Sequence, residues 1–228
     1  MNTIYAYADV SSLEDEDLFA GYFEMMPAKR QEKINRFKYD KDKRLSLGAG
    51  ILLRKLLLEA GAVDSQMQKV EYNDKGKPFF PDCPEYKFNL SHSGTKVVCA
   101  VSDYELGCDV EAIQCADMRL AKRFFSQAEN EELEKCCYQE DRDRLFYRMW
   151  TLKESFLKAV GSGLSIELSS FSILFKNDGI TIAQSVDQYC YLFKEFDLDP
   201  DYCFSLCIKR KEKADMEQIE VREILLDK

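Results

Sequence analysis

The stretch Leu45–Ala60 constrains the fold more than any other segment of the chain. Its residues are apolar around most of a helical circumference, and Gly61 follows as a typical C-terminal cap. We therefore predict a buried helix. Of the 228 residues, 46% are hydrophobic, which is enough to build a sizeable core in one large domain or two small ones.

Alternating or β-rich runs predict strands in both halves of the chain. Asp103–Glu105 is predicted to be a hairpin turn between two of them, and Asn73–Pro84 is a loop by composition. Ser126 with Glu129 three residues later forms a capping-box pattern that opens a helix. The predicted strands are Thr3–Val10, Tyr86–Leu90, Thr95–Ser102, Gly107–Ile113, Phe171–Phe175, Ile180–Ala183, Tyr189–Phe193, Cys203–Ile208 and Ile219–Leu225, and Asp117–Phe125 and Asp141–Val160 are further helices.

This mixture of elements predicts an α+β protein with two halves of similar size. A boundary near Ser102–Leu106 divides the chain into residues 1–104 and 105–228.

The charge balance argues against polyanionic partners as a class. The chain carries 32 Lys and Arg against 41 Asp and Glu, a net charge of −9, so its average field repels nucleic acids and anionic membranes. No run approaches the ~18 apolar residues of a membrane span, and Met1–Ala20 lacks the pattern of a signal peptide. Nine scattered cysteines with one histidine predict free thiols in a reducing cytoplasm rather than a zinc site.

Asp109 and Glu111 point to the same face of a predicted strand. Two neighbouring carboxylates repel each other unless a cation lies between them, and oxygen-only ligands favour Mg²⁺. By itself, however, the Asp109 and Glu111 pair fits the solvated face of an edge strand better than a metal site.

Glu154 and Lys158 lie at i and i+4 on one face of the helix that also carries Trp150 and other large apolar residues. An ordinary surface pair is one interpretation. The other is that Glu154 provides a third carboxylate for the same cation and that Lys158 pairs with a phosphate.

Two further segments could bind anions. Phe88–Gly94 places amide, hydroxyl and imidazole groups before a glycine at the end of a predicted strand. Between Lys29 and Arg44, eight basic residues stand against three acidic ones, which predicts a local anion-collecting patch. A structural turn and a solvated helix face are the respective alternatives.

In order and spacing, these motifs resemble the two-domain, surfactin-synthetase-activating type of 4′-phosphopantetheinyl transferase over nearly the whole chain. The residues that carry the resemblance are Gly76–Pro78, Phe88–Gly94, Gly107–Glu111, Arg123–Ser126 with Glu129, Trp150–Lys158 and Gly161–Ser165. The resemblance implies two similar α/β-sandwich halves related by a pseudo-two-fold axis, with the ligand cleft between them, and a monomer.

The activity implied by the resemblance is transfer of phosphopantetheine from coenzyme A to a serine hydroxyl of an apo acyl or peptidyl carrier protein, with release of adenosine 3′,5′-bisphosphate. Asp109, Glu111 and Glu154 match the family's Mg²⁺ ligands, and Mn²⁺ is a possible substitute. Glu129 or a metal-activated water is the implied base for the carrier serine, and Lys158 is implied to neutralise or protonate the leaving phosphate. The implied coenzyme contacts are Arg44, Lys77, Ser91 and His92, with Lys29 and Lys33 on the 3′-phosphate.

Asp117–Phe125 combines Arg119 and Lys122 with apolar residues, and carrier proteins of this kind are usually acidic. We therefore expect exposed members of this segment to dock the carrier, although a plain amphipathic helix explains the pattern equally well.

Two other classes of function fit parts of the pattern. A Mg²⁺-dependent nuclease also uses paired acids with a lysine, but it needs a long basic track, whereas the positive excess here is one short segment. A non-catalytic coenzyme-binding or carrier-binding module would not need Asp109, Glu111, Glu154 and Lys158 together.

Overall fold

A computed structural model of the chain describes residues 2–63, 69–177, 179–212 and 219–227. Its contacts divide the chain into two compact units. The first contains Met1–Tyr72, Pro78–Asp103 and Glu217–Lys228, and the second contains Asn73–Lys77 and Tyr104–Met216. The units are thus discontinuous in sequence, whereas one division after residue 104 was predicted. The functional assignment of the halves and their pseudo-two-fold relation stay predictions.

The first unit is built on a four-stranded sheet in the order β11-β1-β5-β4. Strand β1 is antiparallel to β5 and parallel to β11, and β4 and β5 form a hairpin. Two-residue strands β2 and β3 pair separately. The bounds are β1 Thr3–Asp9, β2 Glu71–Tyr72, β3 Pro78–Phe79, β4 Lys87–Ser93, β5 Lys96–Ser102 and β11 Ile219–Glu223.

Helix α3 (Asp40–Glu59) packs on this sheet, as the apolar Leu45–Ala60 segment predicts. Leu47, Leu52 and Leu56 are fully buried in the core of the unit. Two shorter helices, α1 (Glu16–Glu24) and α2 (Ala28–Asn35), precede it and were not predicted. Helix α2 is largely polar, and α1, although it contains Leu18, Phe19 and Tyr22, has only nine residues, so each helix gives a short apolar pattern.

The second unit contains a three-stranded antiparallel sheet in the order β6-β10-β9 and a separate β7–β8 hairpin. The strands are β6 Leu106–Ala112, β7 Ser172–Lys176, β8 Gly179–Ala183, β9 Cys190–Phe196 and β10 Tyr202–Arg210. Helix α6 (Gln139–Val160) lies across β6 and β10 and ends at Gly161, which has the positive φ of a helix cap. Helices α4 (Met118–Phe124) and α5 (Gln127–Glu134) precede it.

The mixed α+β class is confirmed, and so is the Ser126–Glu129 capping box at the start of α5. The hairpin predicted at Asp103–Glu105 is wrong, because β5 pairs with β1 and β4 whereas β6 pairs with β10. Sequence proximity favours pairing of consecutive strands, but here the chain leaves one sheet and starts another. Among the described residues, no helix has the length and apolar character needed to cross a membrane.

Candidate functional site

The candidate site in the second unit depends on close contact between strand β6 and helix α6. A Cβ atom built on Gly107 would lie 2.1 Å from the backbone oxygen of Ser155 and 2.6 Å from the Cβ of Lys158. Only glycine therefore lets the helix backbone approach the strand this closely. The approach brings the polar face of α6 over the carboxylates of β6.

Asp109 and Lys158 form the centre of this site. The Lys158 Nζ donates to Asp109 Oδ1 at 2.7 Å and to the Cys108 carbonyl at 3.1 Å. Asp109 is buried, with 3% of its surface exposed. Burial is the largest single influence on the pKa of Lys158 and lowers it, but the charges of Asp109, Cys108 and Glu154 and the hydrogen bond to Asp109 together outweigh burial, so the pKa lies above its ordinary value. Lys158 therefore keeps its proton at neutral pH.

Glu154, one turn before Lys158, is the second acid of this cluster. Burial raises the pKa of its carboxyl group, the charge of Asp109 raises it further, and Lys158 opposes the rise. The structure thus brings Asp109, Glu154 and Lys158 into one electrostatic cluster, as the sequence motifs predict.

Glu111 follows two residues after Asp109 on β6 and is partly exposed. Burial is the main cause of the raised pKa of Tyr147 on α6, and the charge of Glu111 raises this pKa further. The side chains of Glu111 and Tyr147 therefore lie near each other. Tyr147, Glu154 and Lys158 share one helical stripe, because they are spaced by seven and four residues. Within the described ranges, no three His, Cys, Asp or Glu side chains are close enough together to form a metal-binding group.

Glu129 and Lys153 form a second, fully buried ion pair. The Lys153 Nζ donates to Glu129 Oε1 and Oε2 at 2.8 and 2.7 Å and to the Phe171 carbonyl at 2.7 Å. The same carboxylate accepts the backbone N–H groups of Ser126 and Ile173, each at 2.8 Å. The side chains of Glu129 and Lys153 are 1% and 0% exposed, respectively. Glu129, which the sequence resemblance implies as a candidate base, therefore lies in the interior. Its hydrogen bonds connect α5, α6 and β7.

The pairing of Glu129 with Lys153 was not predicted. A signal was present in the sequence, because Lys153 is flanked by Leu152 and Phe156 on an otherwise apolar part of the helix. A lysine in such a position needs a buried acidic partner. Burial lowers the pKa of Lys153, and Glu129 partly offsets that effect.

Helix α4 presents the cations predicted to dock a carrier. Lys122 and Arg123 are exposed and Leu120 is 40% exposed, whereas Phe125 is buried. The Arg119 guanidinium is held by Asp117, with Nε to Oδ1 at 2.9 Å and Nη2 to Oδ2 at 2.7 Å. The docking role of the helix stays a prediction.

Of the predicted coenzyme contacts, Arg44, Ser91 and His92 lie in the first unit. Ser91 and His92 are on β4, an edge strand of the sheet, and the His92 side chain is exposed. Arg44, near the start of α3, pairs with Glu14 through Nη2 and Oε1 at 3.1 Å.

Lys29 and Lys33 lie on α2, where both line a cavity. Lys77 belongs to the second unit, where its Nζ donates to Glu105 Oε2 at 2.7 Å and to the Leu106 carbonyl at 3.2 Å. The coenzyme-binding role of all these residues stays a prediction.

The chain is similar to known proteins over nearly its whole length. The family model described as the 4′-phosphopantetheinyl transferase superfamily matches residues 105–207, and the one described as 4′-phosphopantetheinyl transferase, N-terminal, matches residues 14–104. A 4′-phosphopantetheinyl transferase of Bacillus subtilis is 31% identical over 225 residues, covering 98% of each chain. The 4′-phosphopantetheinyl transferase Sfp of Bacillus subtilis strain 168 is 33% identical over 217 residues, covering 94% of this chain and 95% of its own.

Among solved structures, a holo-(acyl-carrier-protein) synthase from Bacillus anthracis aligns with 48% of this chain and 97% of its own, at 12% identity and a TM-score of 0.43. The sequence relationship is much more extensive, because it covers both halves of the chain. The chain therefore belongs to the 4′-phosphopantetheinyl transferase superfamily, in its two-domain, surfactin-synthetase-activating type.

Proposed function

We propose that the protein transfers the 4′-phosphopantetheine group of coenzyme A to a serine hydroxyl of an apo acyl or peptidyl carrier protein, in a Mg²⁺-dependent reaction. The products are the holo-carrier and adenosine 3′,5′-bisphosphate. The observation that supports this best is the cluster of Asp109, Glu154 and Lys158 between β6 and α6. Phosphoryl transfer depends mainly on positioning and charge neutralisation, and this cluster offers charges of both signs within a few ångströms.

Asp109, Glu111 and Glu154 are the side chains that would hold Mg²⁺, after moving closer together than in the described structure, where they form no metal-binding group. Their donor atoms are all carboxylate oxygens, which suits this hard cation. When bound, the ion would neutralise charge on the coenzyme pyrophosphate. Mn²⁺ would use the same oxygen ligands.

Lys158 is proposed to stabilise the leaving phosphate. Its ammonium group, which donates to Asp109 Oδ1, keeps its proton at neutral pH because the pKa of Lys158 is raised. As the serine oxygen forms its bond to the β-phosphorus, the bond from that phosphorus to the bridging oxygen breaks. The electron pair goes to the phosphate of adenosine 3′,5′-bisphosphate, where Lys158 offsets the developing negative charge.

The proton of the attacking serine is proposed to pass to a water molecule at the carboxylate cluster rather than to Glu129, because both oxygens of Glu129 already accept N–H donors in the interior. We propose that Glu129 instead holds α5, α6 and β7 in position.

The coenzyme contacts are proposed to include Arg44, Lys77, Ser91 and His92, with Lys29 and Lys33 on the 3′-phosphate. All of them can donate hydrogen bonds to anionic oxygen. None of the nine cysteines forms a disulfide, which supports a reducing cytoplasmic location. We also propose that the protein acts as a monomer.

The direct test is incubation of the protein with Mg²⁺, coenzyme A and several apo-carrier proteins. Mass spectrometry should find an adduct of about 340 Da on the carrier serine, which is the mass of the transferred group. We expect Asp109→Ala and Glu154→Ala to abolish this transfer while circular dichroism shows a retained fold. Transfer at the wild-type rate by either variant would refute the role proposed for that carboxylate.

A further inference from the structure

The turn Asn73–Lys77 lies against the end of helix α6. Its contacts place it in the second unit, although the short strands β2 and β3 on either side of it belong to the first. Two backbone hydrogen bonds of 2.9 Å close the turn, from the Asn73 N–H to the Lys77 carbonyl and from the Gly76 N–H to the Asn73 carbonyl. Its shape is therefore fixed where it meets the second unit.

The Asn73 side chain joins this turn to the residue that ends α6. Its Oδ1 accepts the backbone N–H groups of Lys75 and Lys77 at 2.9 and 2.8 Å. Because only the oxygen of the amide can accept, these two bonds fix its orientation, and Nδ2 donates to the Gly161 carbonyl at 3.2 Å. The last carbonyl groups of a helix have no partner within the helix, so this donor stabilises the end of α6.

Lys77 connects the same turn to both elements of the candidate site. Its side chain is 14% exposed, and Glu105 holds the ammonium group through Oε2 at 2.7 Å. The Nζ also donates to the Leu106 carbonyl at the start of β6, at 3.2 Å, and to the Ala159 carbonyl near the end of α6, at 3.5 Å. A cation at this end of a helix interacts favourably with the helix dipole. The start of β6 and the last turn of α6 are therefore both bound to Lys77.

Two glycines let the turn approach the end of α6. A Cβ atom on Gly161 would lie 3.2 Å from the Lys77 Cδ and 3.6 Å from the Asn73 Nδ2. A Cβ atom on Gly163 would lie 3.1 Å from the Lys75 carbonyl oxygen. Both glycines also have a positive φ, of 73° and 57°, which other residues rarely adopt. The turn and the end of the helix are thus in direct contact, so displacement of the turn would change the contacts that hold the helix end.

This contact bears on Lys158, which lies one residue before Ala159. The Lys158 Nζ donates to Asp109 Oδ1 at 2.7 Å, and Asp109 follows Leu106 by three residues on β6. The turn therefore binds both segments that carry this ion pair. Gly107 permits the close approach of β6 and α6, whereas the turn supplies hydrogen bonds that maintain it.

We propose that Asn73 is a positioning residue for phosphopantetheine transfer. It holds the turn against α6, and the turn keeps Lys158 aligned with Asp109. The inference rests on the proposed function, in which Lys158 stabilises the leaving phosphate, and it adds a residue that has no role there. Variants of Lys77 would alter coenzyme binding and positioning together, because Lys77 is also a proposed coenzyme contact. Asn73 is therefore the residue to change.

The test is carrier-loading kinetics of Asn73→Ala and Asn73→Asp in the full chain, with Mg²⁺, coenzyme A and an apo-carrier protein. Asn73→Ala removes the whole amide, whereas Asn73→Asp keeps the acceptor for Lys75 and Lys77 and loses the donor to Gly161. In each variant kcat should fall at least fivefold, because Lys158 is no longer aligned with the leaving phosphate. The KM for coenzyme A should change less than twofold, since no coenzyme contact is removed.

A second background separates lost alignment from a general weakening of the fold. If Asn73 acts through Lys158, then adding Asn73→Ala to Lys158→Ala should lower kcat less than twofold further, because the group that Asn73 positions is missing. A general weakening of the fold would instead lower kcat by the same factor in both backgrounds.

Two variants are matched controls. Asp74→Ala changes an exposed side chain of the same turn. Asn130→Ala removes another asparagine amide at a helix end, which donates to the Ala121 and Phe125 carbonyls at the end of α4, each at 3.2 Å. Both controls should change kcat less than twofold, even if Asn130→Ala lowers Tm as much as Asn73→Ala. A fivefold fall of kcat in either control would overturn the inference, because the loss would not be specific to Asn73.

The outcomes distinguish this inference from the proposed function. If the wild-type protein loads no carrier, the proposed function fails and the inference fails with it. If the wild type loads carrier, three results would overturn the inference alone. They are a wild-type kcat in Asn73→Ala, a rise in the coenzyme A KM without a fall in kcat, and an equal loss of kcat in the Lys158→Ala background.

Discussion

At the scale of single residues, the two lysines of the Trp150–Lys158 motif have different environments. Lys153 is fully buried and its ammonium group is enclosed by Glu129 and the Phe171 carbonyl, with the Phe171 ring centroid 4.3 Å away. Lys158 is partly exposed and pairs with Asp109. The difference follows from their positions on α6, because a five-residue step turns the side chain to another face of the helix. Only Lys158 can therefore reach a ligand from solvent.

The buried pair gives a prediction about stability. Lys153→Met removes the cation and leaves the Glu129 carboxylate charged in the interior, so we expect a loss of about 3–5 kcal/mol in the free energy of unfolding. Adding Glu129→Gln should recover part of this loss, because the isolated charge is then removed. Urea denaturation followed by circular dichroism measures both effects.

Lys135→Met is the matched control for this experiment. Lys135 pairs with Glu132 at 2.6 Å, but both side chains are more than half exposed. Such surface pairs contribute at most about 1 kcal/mol. If Lys153→Met cost no more than Lys135→Met, the interior pair would not be holding α5, α6 and β7 together.

At the scale of elements, the contact between β6 and α6 determines the geometry of the site. Asp109 comes from the strand, whereas Glu154 and Lys158 come from the helix. Their separation depends on how closely the two backbones approach, and Gly107 allows that approach. A change in this contact would therefore affect stability and catalysis together.

Gly107→Ala should lower the free energy of unfolding by about 3 kcal/mol, because the new methyl group meets backbone atoms that cannot move independently. This is the upper end of the usual cost of overpacking a core. We also expect a lower kcat for phosphopantetheine transfer, since Lys158 and Glu154 would be moved away from Asp109. Thermal unfolding and carrier-loading kinetics measure the two effects.

Gly21→Ala provides the opposite case in the same protein. Gly21 lies within α1, and a Cβ atom there would meet nothing within 4 Å. Alanine should therefore stabilise the helix by up to about 1 kcal/mol and leave kcat unchanged. If Gly107→Ala and Gly21→Ala had the same effect on Tm and kcat, the approach of α6 to β6 would not depend on the glycine at position 107.

At the scale of the whole molecule, the net charge of −9 opposes binding of an acidic carrier protein. Association must then rely on local cations, and exposed Lys122 and Arg123 on α4 are candidates. Arg119 is less available because its guanidinium is held by Asp117.

Reversing these charges should affect the carrier selectively. We expect Lys122→Glu to raise the carrier KM severalfold and Arg119→Glu to raise it less, with the coenzyme A KM unchanged in both. Increasing salt should raise the carrier KM of the wild type more than that of Lys122→Glu.

Lys176→Glu, which reverses an exposed cation on β7, is the control for net charge. It should leave the carrier KM close to the wild-type value. An unchanged carrier KM in both α4 variants would rule out the docking role of this helix.

The sequence by itself determined the elements with strong local signals. The apolar circumference of α3, the Ser126–Glu129 capping box and the end of α6 at Gly161 all depend on residues close together in the chain. The placement of Asp109, Glu154 and Lys158 in one cluster was also predicted, but from the order and spacing of the family's motifs. Helices α1 and α2 escaped prediction because both are short and α2 is largely polar.

Only the tertiary structure decided which strands pair and which charged groups are buried. Pairing of β6 with β10 brings together residues about 90 to 102 positions apart, and no local pattern specifies such a choice. The role of Glu129 likewise depends on Lys153 and Ile173, which reach it from two other elements. A carboxylate in a sequence has the same chemistry wherever it lies. Whether it holds the interior together or faces a ligand is determined by the side chains and backbone that the fold brings around it.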